Sequence, residues 1–228
     1  MAQKTFKNIL IRYGIATFGL ILVAFGVALS LKSNLGTAPV SCPPAVLNLR
    51  WGSISVGTFT WMMHIVFILT QIVLLGRKFK AAYLMQIPAA FVFGYLCDAA
   101  IWACQGIPAA TYAARMVLCL GSVLLTAIGI HIEVIAGAWI LAGDKLTDVI
   151  AQVTGSKFSN VKIIIDIVLV ALSAAFAWLA FRSFFGNGAD IVIREGTLIL
   201  ALMTGLCMKL TDPVVDRVFL PILKKADE

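Results

Sequence analysis

The chain has 228 residues, 61% of them hydrophobic and only 13% charged, with a mean hydropathy of +0.99 and a net charge of +7. Soluble domains carry roughly twice that charge fraction, so there is too little polar surface to wrap a water-soluble globule, and a single polytopic membrane domain over residues 1–228 is expected. The positive charge is explained by basic residues on cytoplasmic loops rather than by nucleic acid, which is not an expected partner.

Six apolar runs are long enough for the roughly 20 residues that a helix needs to cross a bilayer. In chain order they cover Tyr13 to Leu31, Val56 to Leu75, Ala81 to Ala103, Ala113 to Val134, Ile163 to Phe181 and Gly196 to Leu210. The first run is too long for a signal-peptide core, and no cleavage motif closes it. With the N-terminus placed inside, thirteen of the eighteen lysines and arginines fall on the cytoplasmic side and five (Lys32, Arg50, Arg115, Arg182, Arg194) outside. That bias predicts both termini in the cytoplasm. Cys42, Cys97, Cys104, Cys119 and Cys207 are odd in number, form no C-x-x-C pair and lie in or near apolar runs, so they read as small buried hydrophobes.

After the first span, "NLGTAPVSCPPAVLNLRWGS" (34–53) breaks the backbone rhythm without becoming polar. Ser41 is a plausible N-cap, and proline is tolerated in a first helical turn, so "CPPAVLNLR" reads as a short helix. At about 13 Å it covers less than half a membrane. A weak gapless similarity pairs "FGVALSLKSNLGTAPVSCPPAVLNLRWGS" from Phe25 with "IGIHIEVIAGAWILAGDKLTDVIAQVTGS" from Ile128, matching Gly26 with Gly129, Gly52 with Gly155 and Ser53 with Ser156. In the second copy Asp144 would cap "KLTDVIAQVT" and Gly155 would end it. The expected fold is therefore all-α, with six transmembrane helices in two inverted three-span repeats (10–103 and 113–212), each carrying a short broken or re-entrant half-helix. Inverted repeats of this kind are common in secondary transporters. The alternative is a surface loop with an interfacial helix at each place.

The stretches "LGTAPVSCPPAVLNL", "SVGTFTWMMHIVFILTQIVLLGRKFK", "LMQIPAAFVFGYLCD" and "IREGTLILALMTG" resemble the YczE/YyaS/YitT-type integral membrane proteins, most closely the YyaS-like branch, over about residues 10–212. The resemblance implies a six-span protein of the bacterial cytoplasmic (inner) membrane, described in that family as a transporter, with no reaction or substrate to carry over. Other branches often carry Trp-Asp just after the proline; here those positions are Val40 and Ser41, so a role for that acid would be absent.

Ionisable residues inside a span are costly and are functional candidates by default. His131 and Glu133 lie near the end of the fourth span on different faces, and Asp144, Lys145 and Asp148 open the second half-helix. Asp98 and Asp166 sit near span ends, Asp166 four residues after Lys162, and read as structural. His64 reads as a hydrogen-bonded packing residue, and Gln86 as a partner for the carbonyl freed by Pro88. Two histidines 67 positions apart make no metal site, and no activated serine, Walker or dinucleotide pattern occurs, so neither a catalytic set, a metal nor a cofactor is expected. The first reading is a secondary transporter or permease for a small polar or anionic solute, with a midplane site between the half-helix N-termini. Asn34, Gly36, Thr37 and Ser41 would line one side of that site and His131, Glu133, Asp144 and Lys145 the other, with Glu133 or His131 available for proton coupling. A membrane scaffold or accessory subunit, and then a membrane enzyme, are the rivals. The bilayer and a small solute are the expected partners, and a homo-oligomer is compatible with the sequence.

Overall fold

The computed structural model describes residues 2–138 and 141–227. Eight α-helices make up the described chain: α1 (Ala2–Ser33), α2 (Cys42–Arg50), α3 (Val56–Leu75), α4 (Gln86–Ala103), α5 (Tyr112–Ala136), α6 (Ala142–Thr154), α7 (Phe158–Phe181) and α8 (Glu195–Asp227). Segments 8–33, 56–78, 83–103, 112–136, 160–181 and 195–224 are long and apolar enough to cross a membrane. No β-strand forms among the described residues. The protein is an all-α, multi-pass membrane protein.

Local chemistry sets the helix ends. Ser55 caps α3 by accepting from Thr58 N at 3.1 Å, and Thr111 caps α5 by accepting from Ala114 N at 3.2 Å. Gly137 (φ 62°) and Gly155 (φ 67°) close α5 and α6 in the left-handed region, the second as expected. Asn34 (φ 54°) makes the same turn after α1. The sixth span continues well past Leu210. Pro213 and Pro221 lie inside α8; each removes one backbone hydrogen bond without ending the helix, as apolar surroundings permit.

α1 and α5 form the centre. They cross where a Cβ on Gly19 would stand 2.7 Å from Gly129 O, and one on Gly129 would stand 2.6 Å from Gly19 O. Only glycine allows that approach, which is how helices gain contact in a bilayer that offers no hydrophobic drive between them. Gly57 and Gly94 make a second close crossing, of α3 with α4. Six of the remaining helix contacts fall into three parallel sets. α1 lies on α4 as α5 lies on α8, α2 lies on α7 as α6 lies on α3, and α2 adjoins α3 as α6 adjoins α7. The span in α1 is 56% buried, those in α7 and α8 only 17% and 11%.

Two expected caps are corrected. Ser41 stands at the start of α2 in helical backbone and makes no capping bond. A tight turn over Pro39–Ser41 feeds straight into the helix, with Ser41 N and Cys42 N both donating to Ala38 O, at 2.7 and 3.1 Å. α6 starts before Asp144: Leu141 holds the cap position in extended backbone, and Asp144 falls inside the first turn.

Candidate functional site

The two short helices share a layout. In α2, Cys42, Pro44, Ala45 and Val46 are buried and Arg50 is exposed; in α6, Ala142, Gly143, Leu146 and Thr147 are buried and residues 152–154 are exposed. Each has its N-terminus in the core and its C-terminus at the surface. The two starts adjoin. A Cβ on Gly143 would lie 3.9 Å from Val40 Cγ1 and 3.6 Å from Phe67 Cε2. The start of α6 offers backbone N–H groups and partial positive charge, whereas at α2 Ser41 N and Cys42 N already donate to Ala38 O and Pro43 and Pro44 carry no N–H, so only the dipole remains.

At the start of α6 an internal carboxylate meets that charge. Glu133 is 5% exposed, and its Oε1 accepts from Leu141 N at 3.1 Å. The expected role of Asp144 as the cap thus passes to Glu133, because the α5 terminus folds back over the start of α6. Asp144 instead lies 3.9 Å from Lys162 Nζ, whose closer partner is Asp166 at 3.1 Å. Lys145 donates to Asp148 Oδ2 at 2.7 Å and stands 4.8 Å over the Tyr83 ring. Below them Gln71 and Gln86 exchange amide hydrogen bonds of 3.0 Å each, and Gln71 Nε2 also donates to Ala142 O at 3.1 Å. Gln86 therefore holds Gln71 of α3, and Gln71 in turn reaches α6. The carbonyl expected to need it precedes the helix, since Pro88 sits in the first turn of α4.

The first link is tied to the connection between α7 and α8. Asn34 Oδ1 accepts from Ile191 N at 2.5 Å and its Nδ2 donates to Ala189 O at 2.9 Å. Gly196 N donates to Leu35 O at 2.7 Å, and Thr37 N to Val192 O at 3.0 Å. Thr37 is fully buried, its Oγ1 sharing a hydrogen 2.6 Å from Ser30 Oγ. Gly36 (φ 112°) lies against the Thr197 backbone and hydroxyl, where a Cβ would not fit.

The eight expected site residues thus fall into three places. Asn34, Gly36, Thr37 and Ser41 belong to the first link, Glu133, Asp144 and Lys145 to the start of α6, and Val40 with Gly143 joins these two. His131 is elsewhere, facing α8 next to Asp212 and Asp216. His64 departs from expectation. It is 1% exposed and edge-on to Phe67 and Phe93, and neither ring nitrogen has a hydrogen-bond partner among the described residues.

Sequence reasoning did not find the partners of three groups. Asp98 accepts from Gly57 N at 2.8 Å and Ser55 Oγ at 2.6 Å, capping α3 from α4. Its structural character was legible from its place near a span end, but only the fold reveals these partners, which lie 43 and 41 positions earlier in the chain. The Gln71–Gln86 pair could have been read from two amides flanking one short turn. Asp212 and Asp216, four apart around Pro213, carried the spacing of a shared helical face. Two grooves open on the outside of the bundle. One is bounded by Phe67, Leu146 and Leu169, the other by Val170, Ile193 and Leu198; both are mainly apolar.

These features define a multi-pass helical membrane protein with two short helices that begin in its core. The chain belongs to DUF6198, a family of unknown function, which it matches over residues 10–213. No curated protein and no solved structure matches it.

Proposed function

We propose that the protein is a secondary transporter or permease for a small polar or anionic solute, coupled to protons, related to the YczE/YyaS/YitT-type proteins it resembles. Its two halves are inverted repeats, and α2 and α6 are re-entrant half-helices. The packing supports this reading. Gly19 approaches Gly129 while Gly26 approaches Ser122 O. A shift of 103 positions, the one that pairs Gly26 with Gly129, turns the first contact into the second. The same shift relates the left-handed residues Asn34 and Gly137, and the facing residues Val40 and Gly143.

The observation that carries the function is Glu133 on Leu141 N, at the start of α6 and beside the start of α2. A carboxylate there occupies the place an anionic solute would take. Protonating it removes the competing charge and weakens its hold on the N–H, so proton and solute would enter together. The packed contact of Val40, Gly143 and Phe67 is then an occluded arrangement, and access to either side needs movement of α2 or α6. A solute is first identified by comparing metabolites of deletion and overexpression strains. Its uptake is then followed in proteoliposomes with a pH-sensitive dye inside. Solute-dependent acidification is expected with the wild type and not with Glu133→Gln. Equal uptake and acidification by both proteins across the pH range would remove Glu133 from the mechanism. Strains with no solute difference would favour a membrane scaffold or accessory subunit. That second reading rests on the low burial of the α7 and α8 spans, which leaves faces for lipid or another protein.

A further inference from the structure

His131 stands between two carboxylates of α8. Its Nε2 is 2.9 Å from Asp216 Oδ1, within hydrogen-bond geometry, and its Nδ1 is 3.0 Å from Asp212 Oδ1, off the line of an N–H bond. The His131 side chain is 13% exposed, those of Asp212 and Asp216 34% and 40%. His131 is two residues beyond Gly129, which crosses Gly19 near the centre of the 8–33 span, while the two acids belong to the charged stretch 209–217 of α8, so the cluster sits where the apolar and charged parts of the bundle meet. The carboxylates face opposite nitrogens of one ring, and no grouping suited to a metal ion occurs among the described residues.

A neutral imidazole has one N–H and one lone pair. A neutral ring that donates from Nε2 to Asp216 leaves its Nδ1 lone pair 3.0 Å from Asp212 Oδ1, a buried oxygen with no hydrogen-bond partner among the described residues. One further proton, shared among the ring and the two acids, would relieve that repulsion. We infer that His131, Asp212 and Asp216 form a proton-binding site whose occupancy holds α8 against α5. This inference does not depend on the transport reading. α8 is the least buried span, and Pro213 between the two acids interrupts its hydrogen-bond ladder, so the helix has a natural point of bending where the clasp sits. Other charged or titratable groups on the packed elements include Arg12 and Tyr13 of α1, Glu133 of α5, whose Oε1 accepts from Leu141 N, and Cys207, Lys209 and Arg217 of α8. Arg12 donates to Ala136 O at 3.0 Å, more than a turn further along α5, and Lys209 and Arg217 are exposed. Losing the proton leaves two carboxylates around a neutral ring, so the clasp should release as pH rises.

The chain has only two histidines, so imidazole nitrogen NMR of the full-length protein in lipid nanodiscs can follow His131, with His131→Gln used for assignment. Native-state hydrogen exchange reports α8 in parallel. The expected result is a doubly protonated His131 that loses its proton on raising the pH, with exchange over residues 212–224 speeding up at least tenfold in the same interval. Asp212→Asn and Asp216→Asn should each change the pH at which that proton is lost, and the change should be visible even if His131→Gln folds poorly. A single neutral tautomer throughout the folded range would overturn the site. A titration that neither Asp variant moves would do the same. Proton loss without faster exchange in α8 would overturn the clasp.

Discussion

Glu133 and Asp166 are both carboxylates within spans, yet their surroundings assign them different work. Asp166 has Lys162 Nζ at 3.1 Å, one turn away, and that lysine also faces Asp144. Glu133 meets a backbone N–H. A glutamine at 133 keeps an oxygen for Leu141 N, so Glu133→Gln should fold and express like the wild type while losing any proton-coupled flux. Asp166→Asn leaves Lys162 with a weaker partner in apolar surroundings, and breaking one side of such a pair is costly. It should lower the melting temperature measurably and leave residual flux. A stable but inactive Asp166→Asn beside a fully active Glu133→Gln would reverse these roles. Asp98 supports a third expectation. Its carboxylate replaces missing helix partners for Gly57 N and receives the Ser55 hydroxyl. Asp98→Ala should cost about 1–3 kcal/mol, more than the roughly 1 kcal/mol of an ordinary cap deletion such as Ser55→Ala. Thermal denaturation in detergent reads both, and an Asp98→Ala variant as stable as the wild type would mean that Asp98 is dispensable to the cap.

At the scale of elements, the α1–α5 crossing is the contact least able to absorb change. Gly129→Leu puts a branched side chain where even a Cβ would meet Gly19 O at 2.6 Å. The helices must separate, so the variant should lose most folded protein, whereas Gly106→Ala, with open space around it, should be neutral. Comparable yields of folded protein would rule out the close crossing. The spans were legible in the sequence because a run of twenty apolar residues has few alternatives to crossing a bilayer. The short helices were legible from Pro43, Pro44 and Gly155, whose backbone limits act locally. Their caps were not: the group that meets the α6 start is Glu133, eight residues earlier, and no local rule points to it. His131 drew notice as a histidine in an apolar run, but Asp212 and Asp216 become its partners only when α8 packs on α5. Cys42 tests the depth of α2. Its side chain is fully buried, so with the other four cysteines replaced it should resist a membrane-impermeant thiol reagent. Rapid labelling from outside would count heavily against a half-helix that begins in the core.

For the whole molecule, the open quantity is which end faces the cytoplasm. Six spans put both termini at one end, together with Arg77, Lys78, Lys145 and Lys162. The other end has five basic residues, and each is engaged close to home. Lys32 donates to Gln105 O at 2.7 Å, Arg115 to Ala109 O at 3.0 Å and Arg194 to Glu195 at 2.6 Å, while Arg50 and Arg182 lie over the Trp51 and Trp178 rings at 5.7 and 5.0 Å. Basic residues held this way tie connections together, whereas Arg77 and Lys78 are exposed on a short turn, where the positive-inside rule acts most directly. The termini should therefore be cytoplasmic. Reporter fusions after Lys78 and at the C-terminus should give cytoplasmic signals, and one after Gly106, in the turn between α4 and α5, an external signal. Neutralising Arg77, Lys78 and Lys80 together should weaken the bias and produce a mixed signal at Gly106, while neutralising Lys32 and Arg115 should leave the orientation intact and lower stability. A cytoplasmic signal at Gly106 in the unmodified chain would invert the assignment and place the starts of α2 and α6 on the opposite routes of access.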